Sequence, residues 1–307
     1  MKESLVSVEN LSHRYSIQWA VKDISFEIPH KGIYGLLGSN GAGKSTTMNI
    51  ISGVLKQTNG NVYVNGFDLS KDPISAKKQI GFLPQHPPLY MDTTVEEYLT
   101  NCAHLRLIES KKVKAAVENV LEKCAITHFK KRLIKNLSGG YRQRVGIAQA
   151  IIHQPAFVIL DEPTNGLDPN QILEIRKLVK EIANDRAVLL STHMLTEVQA
   201  ICDHIFMIEH GKLVFSGKTD EFDNYLTPNT IFVRLLEMPS GEELTKMIEG
   251  LEGVEELGGP NYRLKFQDLN GATERIVQQS VKCNWRLDEI RVEKNSLNDV
   301  FSALSKK

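Results

Sequence analysis

The run Gly38-Ser39-Asn40-Gly41-Ala42-Gly43-Lys44-Ser45-Thr46 has the spacing G-x-x-x-x-G-K-[ST]. Glycines reach backbone angles closed to other residues, so successive N–H groups turn inward and ring an anion. A helix opening at Lys44 adds its bare first-turn N–H groups and the positive end of its dipole. Such a loop cradles the phosphates of a nucleotide. Lys44 is placed to reach the β- and γ-phosphates, and the Ser45 hydroxyl to meet Mg²⁺.

A second chemical element is Asp161-Glu162, which closes the apolar run Phe157-Val158-Ile159-Leu160. Alone, the pair reads equally well as a solvated acidic strand end. Downstream of a phosphate loop it reads differently. A buried strand carries Asp161 to the carboxyl edge of a sheet, where nucleotides bind in open α/β folds. Asp161 is then a Mg²⁺ ligand, direct or through water, and Glu162 the base that polarises the attacking water. A third element, Ser138-Gly139-Gly140, opens a helix expected to run to about Ile152. It is a second helix start with free N–H groups, suited to a γ-phosphate.

These groups need a scaffold, and the sequence outlines one. Leu5–Val8 and Ile24–Ile28 alternate as strands do. Gly32–Gly38 reads as a buried strand, Lys44–Leu55 as a helix, and Asn61–Asn65 as a strand ending in an Asn-Gly turn. From Thr94 to Ala125 apolar residues recur at helical spacing (Val113, Val117, Val120, Leu121, Cys124), which marks an inserted helical region. Phe157–Leu160 and Val188–Ser191 read as short buried strands flanking the helix Gln171–Ala183. Strands and helices in that order predict an α/β fold with a parallel sheet covered on both faces.

The pattern changes near Thr227-Pro228-Asn229. Beyond it, strands are expected at Thr230–Leu236, Tyr262–Phe266 and Arg286–Val292, and helices at Glu242–Ile248, Thr273–Val281 and Ser296–Leu304. Ser296 and Asp299 are spaced as a capping box. The expected organisation is thus a nucleotide-binding domain over 1–227, with a helical subdomain at about 86–152. A small α+β domain follows over 228–307, its alternating order suiting a ferredoxin-like module.

Leu137-Ser138-Gly139-Gly140-Tyr141-Arg142-Gln143-Arg144 resembles the LSGGQ signature of the ABC ATPases. Other features of that family stand in its order around it, and the resemblance covers roughly 5–226. It implies a P-loop ABC ATPase core that binds ATP with Mg²⁺ and hydrolyses it. Tyr15 matches the aromatic that stacks on adenine. Gln85, in Gly81-Phe82-Leu83-Pro84-Gln85, matches the glutamine-loop residue, a contributor to catalysis and to the metal. Asp168, in Asn165-Gly166-Leu167-Asp168-Pro169, matches the loop beside the nucleotide. His193 matches the switch histidine. Tyr141 and Asn165 depart from the commonest residues of the pattern without removing a phosphate-handling group.

In the family two subunits close head to tail over two ATP molecules. One set of motifs per chain therefore implies a second nucleotide-binding subunit, most simply a copy of this chain. A transmembrane permease is the other implied partner. Leu89 and Tyr90, after Gln85, read either as its docking groove or as packing between subdomains. Trp285–Ile290 and Ser296–Phe301 resemble the tail of ABC-2-type export ATPases, including drug-export and gliding-motility-associated subunits. Export is the expectation; an importer motor or a soluble ABC-type mechanical ATPase is the alternative.

Bulk properties set bounds. Thirty-seven Lys and Arg balance thirty-seven Asp and Glu, so no global field gathers nucleic acid, and none is expected as a partner. The local clusters Lys111-Lys112-Val113-Lys114 and Lys130-Lys131-Arg132 read as solvated faces. Four scattered cysteines without a C-x-x-C fit a reduced chain. No apolar leader and no run of about 20 apolar residues is present. The expected location is cytoplasmic, peripheral on the inner face of the membrane.

Overall fold

Phe157–Asp161 and Ala187–Thr192 are buried along their whole length, as strands covered on both faces must be. They form the middle of the first of two units, Met1–Thr219 and Asp220–Lys307, in this computed structural model. The structure describes residues 4–223 and 229–293. Thr227-Pro228 and the expected helix Ser296–Leu304, with its cap, lie outside the described residues.

The first unit runs β1 (Val6–Tyr15), β2 (Gln18–Ile28), β3 (Gly32–Leu37), α1 (Lys44–Ile51), β4 (Asn59–Val64), β5 (Phe67–Asp68), α2 (Pro73–Lys78) and β6 (Ile80–Leu83). It continues through α3 (Val95–Leu105), α4 (Ser110–Lys123), α5 (Gly139–Ile151), β7 (Phe157–Asp161), α6 (Pro169–Ala183), β8 (Ala187–Thr192), α7 (Leu195–Ile201), β9 (His204–Glu209) and β10 (Lys212–Lys218), and α8 (Thr219–Asp223) follows.

The main sheet has the order β10-β9-β3-β8-β7-β6. Its strands from β9 to β6 are parallel, and β10 is an antiparallel edge. This order puts the carboxyl ends of β3, β8 and β7 side by side. The phosphate loop, the His193 turn and the Asp161-Glu162 pair therefore leave one edge of the sheet from adjacent strands.

The two faces are covered differently. Ile175, Leu178 and Val179 of α6 and Val198 of α7 are buried beneath their helices. On the other face, α1 and a second, antiparallel sheet, β2-β1-β4-β5, share one core with Tyr34, Leu36, Ile159, Leu189 and Phe206. Cover by a second sheet is a finding beyond the sequence reading, which supplied helices for that role.

Within the expected helical region Thr94–Ala125 lie two helices, α3 and α4. Leu107 takes φ 58 between α3 and α4, a left-handed residue that no helix interior tolerates. Thr94 begins α3 with a full capping box: its hydroxyl accepts from the Glu97 N–H at 3.2 Å, and Glu97 accepts from the Thr94 N–H at 2.8 Å. The helix after the phosphate loop stops at Ile51, four residues short of the expected end, as Gly53 turns at φ 74.

The second unit runs β11 (Thr230–Leu235), α9 (Gly241–Met247), β12 (Leu251–Gly258), β13 (Asn261–Phe266), α10 (Ala272–Lys282) and β14 (Leu287–Glu293). Its sheet order is β12-β13-β11-β14, antiparallel throughout. β12 is absent from the sequence reading. It is an edge strand with mostly exposed residues and three glutamates, so no apolar alternation announces it. With it the order becomes β-α-β-β-α-β instead of strict alternation. Ile231, Val233, Leu264, Phe266 and Ile276 form the core of this unit.

Candidate nucleotide site

The phosphate loop forms because β3 ends against a crowded backbone. A Cβ on Gly38 would strike the Ile208 carbonyl. Gly43, at φ 109, would place one 2.7 Å from Val21 Cγ1 and 2.8 Å from the Ala20 carbonyl. Only glycine closes this turn, and Lys44 then starts α1.

Lys44 is buried, and its Nζ donates to the carbonyls of Gly38 at 2.9 Å and Ser39 at 3.1 Å. Burial pushes its ammonium down from the ordinary lysine value, opposed by the charges of Glu162, Asp161 and Glu209. An anionic ligand would oppose that desolvation too. Lys44, Ser45, Thr46, Asn40, Gly41, Gly43, Gln85, Glu162 and Ala20 line one open cleft of about 400 Å³. Eight of these nine were named from sequence; Ala20 was not.

At the end of β7, Asp161 and Glu162 are both buried. The Ser191 hydroxyl donates to Asp161 Oδ1, and Ser191 Oγ accepts from the Glu162 N–H at 2.9 Å. One hydroxyl on the neighbouring strand thus orients both acids. Glu162 takes φ 49, which turns its side chain off the strand axis. Its carboxylate then lies 3.0 Å from His193 Nδ1 and 3.9 Å from Lys44 Nζ. The Ser45 hydroxyl lies 3.5 Å from Asp161 Oδ1.

The sequence reading did not assign roles to Ser191 or to Glu209, whose carboxylate accepts from the Ser39 hydroxyl at 2.9 and 3.0 Å. Each acts across a strand-to-strand contact that no local motif records.

Tyr15 is half-exposed at the end of β1, edge-on to His13, and does not line the cleft. Ser138, Gly140 and Asp168 line a different cleft of about 260 Å³, with Tyr141, Arg144 and Gln171. It shares no lining residue with the phosphate-loop cleft. Ser138 caps α5 by position without a side-chain bond, and Gly139 and Gly140 form its first turn. Asp168 caps α6, accepting from the Gln171 N–H at 3.0 Å. The start of α5 is braced by Arg144, which donates to the Cys124 carbonyl at 2.9 Å and to Glu174 on α6 at 2.7 Å.

The ABC transporter family model matches residues 21–165, from the β2 strand through the Asp161-Glu162 pair. The uncharacterized ABC transporter ATP-binding protein YhcH of Bacillus subtilis is 31% identical over 97% of this chain and 95% of its own length. The chain belongs to the ABC transporter ATP-binding proteins. The linearmycin resistance ATP-binding protein LnrL of Bacillus subtilis is 33% identical over 89% of this chain and 88% of its own. A solved ATP-binding subunit of an ABC transporter overlays with a TM-score of 0.65 at 29% identity, covering 72% of this chain and 92% of that one. This ABC protein is accordingly an ATPase with the P-loop cassette fold, and its family works with membrane permease components. Among its described residues no helix is long and apolar enough to cross a membrane.

Proposed function

We propose that this ABC ATPase is the motor of a membrane exporter, closing as a head-to-tail pair and driving a separate transmembrane permease. The observation that carries the motor reading is the convergence of Lys44, Asp161, Glu162 and His193 at one sheet edge. Lys44 exchanges its two loop carbonyls for phosphate oxygens. Glu162, held by the Ser191 hydroxyl and His193, orients the attacking water and accepts its proton. Gln85 lines the same cleft. Tyr15 would serve the adenine.

The donor set fits Mg²⁺. Ser45 Oγ and Asp161 Oδ1 would serve as hard oxygen ligands, and Gln85 would add an amide oxygen. Mg²⁺ takes one or two carboxylates plus substrate phosphates. When bound, it would neutralise charge on the β- and γ-phosphates.

The separation of the signature cleft from the phosphate-loop cleft supports the paired arrangement, in which Ser138–Gly140 of one copy and Lys44 of the other enclose a nucleotide. Export is supported by LnrL, whose name assigns it to resistance, and by the Trp285–Ile290 stretch. The β-α-β-β-α-β order of the second unit supports a ferredoxin-like accessory domain. Leu89 and the exposed Tyr90 are the proposed permease contact.

The test is purification of the tagged chain from native membranes in mild detergent, followed by ATP-driven uptake into inverted vesicles. A co-purifying polytopic membrane protein with uptake into inverted vesicles supports an exporter. Uptake only into right-side-out vesicles makes it an importer. Recovery free of any membrane protein returns the soluble-machine reading.

A further inference from the structure

The turn joining β9 to β10 lies against the back of the phosphate loop, and four contacts hold it there. The Ile208 carbonyl occupies the space beside Gly38. The Glu209 carboxylate accepts from the Ser39 hydroxyl at 2.9 and 3.0 Å, and from the Ser39 N–H at 3.4 Å. The Gly211 N–H donates to the Ala42 carbonyl at 3.0 Å. Gly211 Cα sits 3.6 Å from where a Gly43 Cβ would be.

The turn is itself rigid. His210 and Gly211 have φ 47 and 75, the paired positive angles of a type I′ hairpin. Gly211 also accepts from the Lys22 N–H at 2.7 Å, and a Cβ on it would lie 2.7 Å from the Ala20 carbonyl. Glu209 is well shielded, its side chain 11% exposed.

We propose that Glu209-His210-Gly211 is a rear clamp that holds the phosphate loop in its binding shape before nucleotide arrives, with Glu209 as a positioning residue for ATP affinity. The proposal rests on the assignment of the phosphate loop. A loop left to order itself on binding would lose affinity for that ordering; a clamped loop does not. The charge of Glu209 alone acts the other way, since a carboxylate near the phosphates repels them. The two effects therefore predict opposite signs.

Binding of a fluorescent ATP analogue to the full-length protein, with steady-state hydrolysis, tests this. Glu209→Ala should weaken binding about 10-fold, the scale of a hydrogen bond to a charged group. KM should rise by more than kcat falls. Glu209→Gln, which keeps an acceptor for the Ser39 hydroxyl, should stay within about 3-fold of the parent. Ser39→Ala should weaken binding like Glu209→Ala, and the double variant should be no weaker than the worse single one. Unchanged or tighter binding by Glu209→Ala, with a parent-like melting curve, overturns the clamp. Fully additive losses in the double variant overturn it too. Should Glu209→Ala fail to fold, Ser39→Ala and Glu209→Gln carry the test. Lys44→Ala is the control: if it binds as the parent does, the phosphate-loop assignment fails rather than the clamp.

Discussion

His193 Nδ1 sits 3.0 Å from Glu162 Oε2, with Lys44 Nζ 3.9 Å from the other carboxylate oxygen. Glu162, at the end of β7, is therefore held by groups that follow two other strands of the sheet, β8 and β3. Glu162→Gln keeps the shape and removes the base. It should bind ATP, lose about 10²- to 10⁴-fold in phosphate release, and accumulate as an ATP-bound pair on size exclusion. Normal turnover in this variant would reject Glu162 as the base.

Lys44 gives up solvation to stand in the loop, and its expected compensation is phosphate. Lys44→Ala should weaken ATP binding at least about 10-fold, the scale of charge-assisted hydrogen bonds. Gly43→Ala should do so as well by a separate route, because its Cβ meets Val21 and the Ala20 carbonyl at a φ of 109. Equilibrium binding of radiolabelled ATP reads both.

Arg176 on α6 and Glu197 on α7 form a bidentate pair, at 2.6 and 3.3 Å, with Glu197 almost wholly buried. Asp168 begins α6 and His193 precedes α7, so the pair ties together the two helices that follow these loops. Arg176→Ala leaves a buried unpaired carboxylate and should cost about 3 kcal/mol in denaturant unfolding. Hydrolysis should fall beyond what that loss of folded protein explains. A stability unchanged within error would show the pair to be dispensable.

Burial, reinforced by Arg106 and Arg186, pushes the His153 imidazole down to about 4, below the ordinary value of about 6.5. The unfolded chain binds this proton at higher pH than the folded one, so stability falls as pH drops from about 6.5 toward about 4. By pH ~5 the loss is on the order of 2 kcal/mol, a few degrees of melting temperature. His153→Gln, able to donate to the Ile80 carbonyl as His153 Nε2 does at 3.0 Å, should flatten that slope. An unchanged slope in the variant would assign the acid sensitivity elsewhere.

The phosphate loop and the Asp161-Glu162 strand were legible because their chemistry depends on short runs of residues with fixed neighbours. The buried strands β7 and β8 were legible for the same reason. Ser191 and Glu209 were not. The first reaches across 30 residues of chain and the second across 170, so each becomes visible only when the strand order is known. β12 escaped for an opposite reason: an edge strand of glutamate and glycine buries too little to leave a pattern. The cover formed by β1, β2 and β4 was hidden because alternation identifies strands without saying which sheet they join.

In the proposed head-to-tail pair, the two clefts, with no lining residue in common, would make this polypeptide a half-site twice over. In a head-to-tail pair, a copy damaged at Lys44 and a copy damaged at Gly139 distribute their faults unevenly. One composite site collects both lesions, and the other receives none. Two alleles that are each inactive alone would then complement when expressed together, restoring one working site per pair, whereas two different lesions within the phosphate loop would not.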